Sequence, residues 1–413
     1  MTGRPRVVVT GLGVRTSAGG GVAQMWDALC APRSCARGIT GFDPEGLPVR
    51  IACEIPDFSP VGYLSAKEAA RTDRSTQLAV CAATDALTDA GLRERTGGPR
   101  WAVVTGSANG GEATREAALL DADARGHGRP RASHVPAYMA NAGAAMLSLL
   151  YGITGPGLCF STACASGGHA VGEGAQLIRT GAADVVLAGA HEACVTPTIV
   201  LAFAKSGSLA RDNGDPARAS RPFDRDRSGF VLAEGAAFLI LESWSAARAR
   251  GANVRAELVG YGRTSDAHHL TAPLPDGAGA AACMRQALAD AQLTPRDVAH
   301  VHAHGTATEL GDLAEARALA AVFGAGAVPV TSSKAVLGHA IGAAGAIAAV
   351  VATLSVRWRA APPVANLDAL DPRCEIDAVR GGVRDLPAGP VVCNSFGFGG
   401  HNTCLVLAPG PEG

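Results

Sequence analysis

The chain has 413 residues, of which 47% are hydrophobic and 18% are charged, and its formal net charge is −1. This composition is typical of a soluble, well-buried globular protein, and the near-neutral charge argues against binding to nucleic acid or to an anionic membrane. Eleven cysteines without a C-x-x-C pair argue against a disulfide scaffold or a zinc ribbon and favour reduced thiols in the cytoplasm.

Strand and helix patterns alternate along the chain, and their order occurs twice. The first copy comprises Arg6–Ser17, Ala86–Leu92 and a strand from Trp101, and the second comprises Arg255–Ser265, Ala287–Leu293 and a strand from Ala299. In each copy the first strand ends in G-x-G, and R-T-S follows it. We see no signal-peptide pattern before the first strand of the first copy. The alternation predicts α/β layers with largely parallel central strands, divided into two related halves at residues 1–251 and 252–413.

A cysteine among very small residues lies in the first half. Cys164 is flanked by alanine, serine and glycine at the predicted start of a helix over 165–179. The small neighbours predict open space beside the sulfur. The helix N-terminus would lower the pKa of the thiol and favour the thiolate, with help from a nearby base or cation. An inert core cysteine is the alternative at this point.

Three histidines alternate along a strand in the second half. His300, His302 and His304 would share one face of the strand, which permits a zinc site. No nearby cysteine or carboxylate completes a ligand set, so we favour ordinary structural roles for His300 and His302. His304 precedes a glycine at the carboxyl end of the strand, where it would face the crevice of an open α/β sheet.

Two further segments combine polar residues with glycine. One carries Lys334 and His339 at the start of an apolar stretch, Ala340–Val356, which we interpret as a packed internal helix equivalent to the one after Cys164. A solvated lysine is the alternative for Lys334. The other is the turn Asn394–Asn402, whose backbone N–H groups suit an oxyanion, although a plain tight turn has the same pattern.

As an ordered set, these segments resemble the β-ketoacyl-[acyl carrier protein] synthases, the chain-elongating condensing enzymes of fatty-acid and type II polyketide synthesis. The resemblance covers nearly all of the chain and rests on the motifs TACASG, SRPFDRDRSGFVLAEGAA, AHGTAT, SSKAVLGHAIGAAGA and NSFGFGGHN. It implies a thiolase-like α/β fold, in which two pseudo-symmetric βαβαβ-based halves form an αβαβα five-layer sandwich. It also implies an acyltransferase that forms carbon–carbon bonds and needs no metal and no cofactor.

The resemblance assigns roles to single residues. Cys164 would be the nucleophile, His304 and His339 the catalytic pair, and Lys334 the supporting cation, with the backbone N–H groups of Cys164 and Phe398 forming the oxyanion hole. Residues implied to contact the acyl chain or the phosphopantetheine arm are Thr306, Thr308, Phe203, Asn109 and Phe398. For docking of an acidic carrier protein we predict a basic rim formed by Lys67, Arg71, Lys205 and Arg211.

The implied partners are an acyl carrier protein and a second subunit. The strings GVRTSAGG, RGITGFDP and ASRPFDRDRSGFVLAEGAAF resemble the polyketide branch, whereas TACASG resembles the fatty-acid branch. We therefore favour a type II polyketide system that makes a reduced or polyene chain, with a heterodimer of this chain and a chain-length-factor-like homologue. The alternatives are a homodimeric fatty-acid synthase of the elongating type and, more remotely, a non-condensing partner subunit or a thiolase-type acyltransferase.

Overall fold

The computed structural model describes residues 4–94, 97–125 and 132–411. Its strands are β1 (Val7–Arg15), β2 (Arg37–Gly38), β3 (Ile51–Ala52), β4 (Trp101–Gly106), β5 (Gly157–Phe160), β6 (Val185–Glu192), β7 (Gly235–Ser243), β8 (Ala256–Ser265), β9 (His300–His302), β10 (Pro329–Thr331), β11 (Ala360–Ala361), β12 (Asp377–Ala378), β13 (Arg384–Asp385), β14 (Val391–Gly397) and β15 (His401–Ala408).

Its helices are α1 (Val22–Cys30), α2 (Ala66–Ala69), α3 (Arg74–Asp89), α4 (Glu112–Arg125), α5 (His134–Tyr138), α6 (Ala142–Tyr151), α7 (Ser166–Arg179), α8 (Pro197–Lys205), α9 (Pro216–Ala219), α10 (Trp244–Ala249), α11 (Ala278–Asp290), α12 (Glu309–Phe323), α13 (Lys334–Leu337) and α14 (Ala344–Trp358). Single 3₁₀ turns lie at Pro295–Asp297, Ile341–Ala343 and Phe398–Gly400.

The strand order confirms the internal duplication. The main sheet runs β12-β10-β9-β14-β15-β8-β1-β7-β6-β4-β5. In the first half, β4 is parallel to β5 and β6, and β7 is antiparallel to β6 and β1. In the second half, β9 is parallel to β10 and β14, and β15 is antiparallel to β14 and β8. The two halves meet where β1 pairs antiparallel with β8.

The repeated G-x-G pattern has a packing cause that is the same in both halves. A Cβ atom on Gly11 or Gly13 would lie 2.2 or 2.0 Å from a carbonyl oxygen of α3. A Cβ atom on Gly260 or Gly262 would lie 2.3 or 2.1 Å from a carbonyl oxygen of α11. Since real Cβ atoms do not approach so closely, the glycines let each first strand lie directly against the helix that follows it.

Two helices lie between the two halves of the main sheet and form the central layer of the predicted five. α7 and α14 pack on each other, and each contacts strands of both halves, whereas α3 packs on strands of the first half and α11 packs on strands of the second. A Cβ atom on Gly167 would lie 2.5 Å from the backbone nitrogen of Ala346, and one on Gly345 would lie 2.5 Å from that of Gly168. Glycine at this crossing therefore permits the close helix contact.

The start of the second central helix differs from the prediction. Lys334 begins α13, a separate single turn, and α14 begins only at Ala344. Gly338 ends α13 with φ +73°, a conformation that favours glycine and redirects the chain before His339. The apolar segment Ile341–Trp358 has the composition of a membrane span, but 89% of it is buried inside the protein, which confirms a packed internal helix.

The connection between the two halves is short. α10 ends at Ala249 and β8 begins at Ala256, so the linking segment covers residues 250–255. The division at 251/252 falls inside that segment and stays a prediction.

Candidate active site

Cys164 lies on a strained loop between β5 and α7. Ala163 adopts φ +50°, which is uncommon for a residue with a side chain, and α7 begins two residues after the cysteine. The Ser166 hydroxyl accepts a hydrogen bond from the Thr162 backbone N–H and donates one to the Ala163 carbonyl oxygen. These two contacts hold the loop so that the sulfur projects from the helix N-terminus.

The small residues after Cys164 do not provide substrate space, so that part of our sequence interpretation is wrong. Gly167 faces α14, and a Cβ atom on Gly168 would lie 2.1 Å from the Thr403 hydroxyl oxygen on β15. The space beside both glycines is therefore filled by residues of the second half. Space beside the sulfur instead comes from a cavity whose walls belong largely to the second half.

Residues far apart in the sequence converge at this sulfur. The Cys164 Sγ lies 3.2 Å from Nε2 of His339. The sulfur and one ring nitrogen from each of His304 and His339 all lie within 4.8 Å of one another. The two imidazole rings stand nearly perpendicular, with centroids 5.4 Å apart. Both nitrogens can therefore reach one atom bound beside the thiol.

The protonation state of Cys164 also differs from the prediction. Burial raises the pKa of the thiol to about 11, although the Lys334 ammonium and the backbone N–H groups of Phe398 and Cys164 act in the opposite direction. The cost of placing a thiolate in this buried site outweighs the helix N-terminus, whose effect is about 0.3–1 kcal/mol at an exposed position. The Cys164 side chain is therefore a neutral thiol, with two backbone donors already directed at the sulfur.

The two histidines are neutral in the same environment. Burial and the nearby Lys334 ammonium lower the pKa of His304 and of His339 well below the usual value. Neutral imidazoles can each donate one N–H hydrogen bond, which suits an oxygen that develops negative charge. The ring of Phe230 packs edge-on against His339 at 5.0 Å and keeps that imidazole in a defined orientation.

Lys334 and Glu315 fix the His304 loop. The Lys334 side chain is 4% exposed, and its ammonium donates a hydrogen bond to the His304 carbonyl oxygen, which excludes the solvated-lysine alternative. The buried Glu315 carboxylate accepts hydrogen bonds from the backbone N–H groups of His304 and Gly305 at 2.8 and 2.7 Å. Sequence reasoning missed Glu315, because a carboxylate on α12 gives no local sign that it reaches this loop.

A second buried carboxylate joins the two halves next to the site, and sequence reasoning missed it as well. Glu192, at the end of β6, accepts hydrogen bonds from the backbone N–H groups of Ala108, Asn109 and Gly342 at 2.8, 3.2 and 3.1 Å. Burial raises its pKa to about 7. Glu192 therefore connects the loop after β4 with the 3₁₀ turn that follows His339.

The cavity at the sulfur has an empty volume of about 760 Å³, including its open mouth, and is mostly apolar. Thr306 and Thr308 line it, with their hydroxyl oxygens 3.0 Å apart. Phe203 and Phe398 also line it, and their ring centroids are 6.1 Å apart. Of the residues predicted to contact substrate, Asn109 does not line this cavity and contacts Glu192 instead.

The remaining predicted positions lie outside the cavity. Lys67, Arg71, Lys205 and Arg211 are all exposed, so their role in carrier docking stays a prediction. His300 and His302 are buried in β9 and, in the part of the chain that the structure describes, are not among the side chains that converge at the sulfur. The zinc site that the three alternating histidines permitted is therefore not formed by these three residues together.

Comparisons with known proteins agree with this geometry. Family models for the N-terminal and C-terminal domains of β-ketoacyl synthases match residues 4–247 and 255–368. The chain belongs to the β-ketoacyl synthase family. It is 40% identical to the 3-oxoacyl-[acyl-carrier-protein] synthase 2 of Coxiella burnetii over 98% of both chains. The enzyme is therefore an acyltransferase that forms carbon–carbon bonds, as the motifs predicted.

Solved structures of two ketosynthases are also similar to this synthase. The ishigamide ketosynthase/chain length factor is 34% identical with a TM-score of 0.94, and the match covers 99% of this chain and all of that chain. A ketosynthase bound to a hexaketide, solved in complex with a type II polyketide acyl-carrier protein, is 32% identical with a TM-score of 0.90 over 99% of this chain and all of that chain. These similarities confirm the thiolase-like fold.

Proposed function

We propose that this synthase catalyses the decarboxylative Claisen condensation of an acyl chain on Cys164 with malonyl-acyl carrier protein. The observation that carries the proposal is the convergence of a buried thiol and two neutral imidazoles at the inner end of a threonine-lined cavity. The substrates arrive on the phosphopantetheine arm of the carrier, and Thr306 and Thr308 are placed to hydrogen-bond that arm. No further cofactor enters the reaction.

In the first half-reaction the Cys164 sulfur attacks the acyl thioester, and the thiol proton leaves with the carrier thiol. The negative oxygen of the tetrahedral intermediate accepts hydrogen bonds from the backbone N–H groups of Cys164 and Phe398, which are already directed at the sulfur. A neutral thiol is a poor nucleophile, so the thiolate must form during the attack itself. The Lys334 ammonium and these two backbone donors stabilise the negative charge on the sulfur at that moment.

In the second half-reaction malonyl-carrier loses CO₂ and leaves an enolate. His304 and His339 each donate an N–H hydrogen bond to the enolate oxygen, which requires both rings to be neutral. The enolate carbon then attacks the acyl group on Cys164, the carbon–sulfur bond breaks, and the thiolate takes up one proton. The product is a β-ketoacyl chain that is two carbons longer and remains on the carrier.

The finer assignment is to a type II polyketide pathway that makes a reduced or polyene chain. The similarity to the ishigamide ketosynthase/chain length factor and to a polyketide ketosynthase in complex with its carrier supports it. The relatives named 3-oxoacyl-[acyl-carrier-protein] synthase 2 favour the second candidate, an elongating fatty-acid synthase. The partner predicted for the first candidate is a chain-length-factor-like homologue, and that for the second is another copy of this chain.

The surface at one end of the sheet supports a dimer of either kind. β5 is the outermost strand of the main sheet on that side, and its Leu158 is 40% exposed. Leu149 on α6 and the neighbouring Met139 are 80% and 46% exposed. An open strand edge beside large exposed apolar side chains is stabilised when a second subunit covers it.

The reaction is tested by supplying acyl-carrier and malonyl-carrier and following CO₂ release and product mass. A product extended by two carbons is expected from the parent protein, and no product is expected from Cys164→Ala. Absence of CO₂ and of extended product with the parent protein, across short and long acyl groups, would refute the proposal. Size-exclusion chromatography with mass spectrometry then separates the two candidates, since a stable, active homodimer contradicts the heterodimer.

A further inference from the structure

Two buried histidines have no role in the chemistry described so far. His300 and His302 are both fully buried in β9. In the part of the chain that the structure describes, neither ring nitrogen of either residue has a hydrogen-bond partner. A buried polar group without a partner is expensive, and such groups commonly contact an internal water molecule. Four unpartnered nitrogens on one short strand therefore need a physical explanation.

The strand geometry arranges these side chains in a row. Successive residues of a strand point to opposite faces, so His300 and His302 share one face of β9, and His304 follows two residues after the strand ends. Val301 and Ala303 point to the other face and belong to the apolar core beneath α11 and α12. The row therefore continues the active-site residue His304 into the interior of the protein.

Charged groups lie at both ends of the row. At the inner end, the Lys334 ammonium donates a hydrogen bond to the carbonyl oxygen of His304, two residues after His302, and its charge adds to the effect of burial in lowering the pKa of His302. At the outer end, the parallel register pairs Val301 with Val330 of β10 and pairs Pro329 with Asp377 of β12, so Asp377 lies two strands from His300 on the same face of the sheet. Arg384 forms an ion pair of 2.5 Å with Asp377, and the side chains of both are more than one-third exposed. The row thus lies between the active site and a partly exposed ion pair.

The proposed reaction needs a proton at the inner end. Condensation converts malonyl-carrier and acyl-Cys164 into β-ketoacyl-carrier, CO₂ and the Cys164 thiolate, so restoring the thiol takes up one proton per turnover. The acylation step takes up none, because the thiol proton leaves with the carrier thiol. During condensation the phosphopantetheine arm occupies the cavity that connects the sulfur to solvent.

We propose that Lys334 donates one of its protons to the Cys164 thiolate, and that His300 and His302, bridged by water molecules, return a proton to Lys334 from the surface at Asp377 and Arg384. At each ring a proton binds to one nitrogen while the proton on the other nitrogen leaves, and the tautomer then resets. Each ring returns to its neutral form, so one turnover takes up one proton from solvent and leaves both histidines unchanged. This inference rests on the proposed condensation and adds a route for the proton that the condensation takes up.

The test uses His300→Leu and His302→Leu, singly and together. Leucine has a similar volume and removes the unpartnered nitrogens, so the variants should fold with an unfolding temperature equal to or above that of the parent. We expect steady-state condensation to fall by about a hundredfold, the lower end of the range for losing a positioned general acid or base. The rate of Cys164 acylation by an acyl-pantetheine thioester, followed by intact-protein mass, should be unchanged.

Val301→Ala is the matched control, because it changes the same strand on its opposite face. It should lower the unfolding temperature and leave the ratio of condensation rate to acylation rate unchanged. Leucine variants that keep the parent's ratio, or that lose stability while both rates fall together, would overturn the relay. If the parent protein itself gives no condensation product, the proposed function is wrong. Failure of the relay alone is distinguishable, because the parent protein then still gives the extended product.

Discussion

The protonation state of Cys164 leads to a quantitative prediction for its reactivity. Burial raises the pKa of this thiol to about 11, and only the thiolate reacts with iodoacetamide. At pH 8 about 0.1% of Cys164 is then thiolate, compared with about a quarter of a free cysteine whose pKa is about 8.5. Alkylation should therefore be about two-hundredfold slower than for a free thiol before any steric effect is counted.

The pH profile separates this effect from steric hindrance. Because the pKa lies above the accessible range, the alkylation rate should rise about tenfold per pH unit from pH 7 to 9.5 without a plateau. Peptide mapping follows Cys164 among the eleven cysteines. A plateau below pH 8.5 would refute the reasoning, since it would show a thiolate paired with an imidazolium.

Lys334→Met provides a second measurement on the same thiol. The Lys334 ammonium lowers the pKa of Cys164, so removing the charge should raise that pKa further. At pH 9 the variant should be alkylated more slowly than the parent, and the slope with pH should stay the same. Faster alkylation would show that Lys334 does not stabilise the thiolate.

Four further outcomes are expected. Cys164→Ala should retain decarboxylation of malonyl-carrier, whereas alanine in place of either active-site histidine should lower it by about 10²–10³; survival in both histidine variants would contradict the enolate site. Gly172→Ala should lower the free energy of unfolding by about 1–3 kcal/mol, because its Cβ atom would lie 2.3–2.5 Å from Tyr261 ring atoms, while Gly38→Ala, with open space around it, is the control. Arg227→Ala should cost about 3–5 kcal/mol in urea denaturation, because it leaves the buried Asp312 without its cation and leaves Asp371 paired with Arg373 alone. Dialysis against EDTA should leave kcat unchanged, and an activity loss restored by a metal ion would refute a metal-free reaction.

The sequence by itself determined the duplicated α/β plan and the chemical type of the site. The repeated G-x-G strands, the cysteine before a helix and the histidine before a glycine are local patterns, and local patterns depend on neighbours along the chain. The ordered motifs likewise identified the family, and they singled out Cys164, His304, His339 and Lys334, which the structure brings together.

Only the tertiary structure decided how these residues act. The pKa of Cys164 depends on burial by residues from both halves. This burial raises the pKa, so the side chain is a neutral thiol and not the predicted thiolate. The glycines after Cys164 serve helix contact because α14, from the other half, lies against them. Glu192 and Glu315 reach the site across long sequence separations. Desolvation and contacts of this kind arise only when distant segments pack together, and no local pattern encodes them.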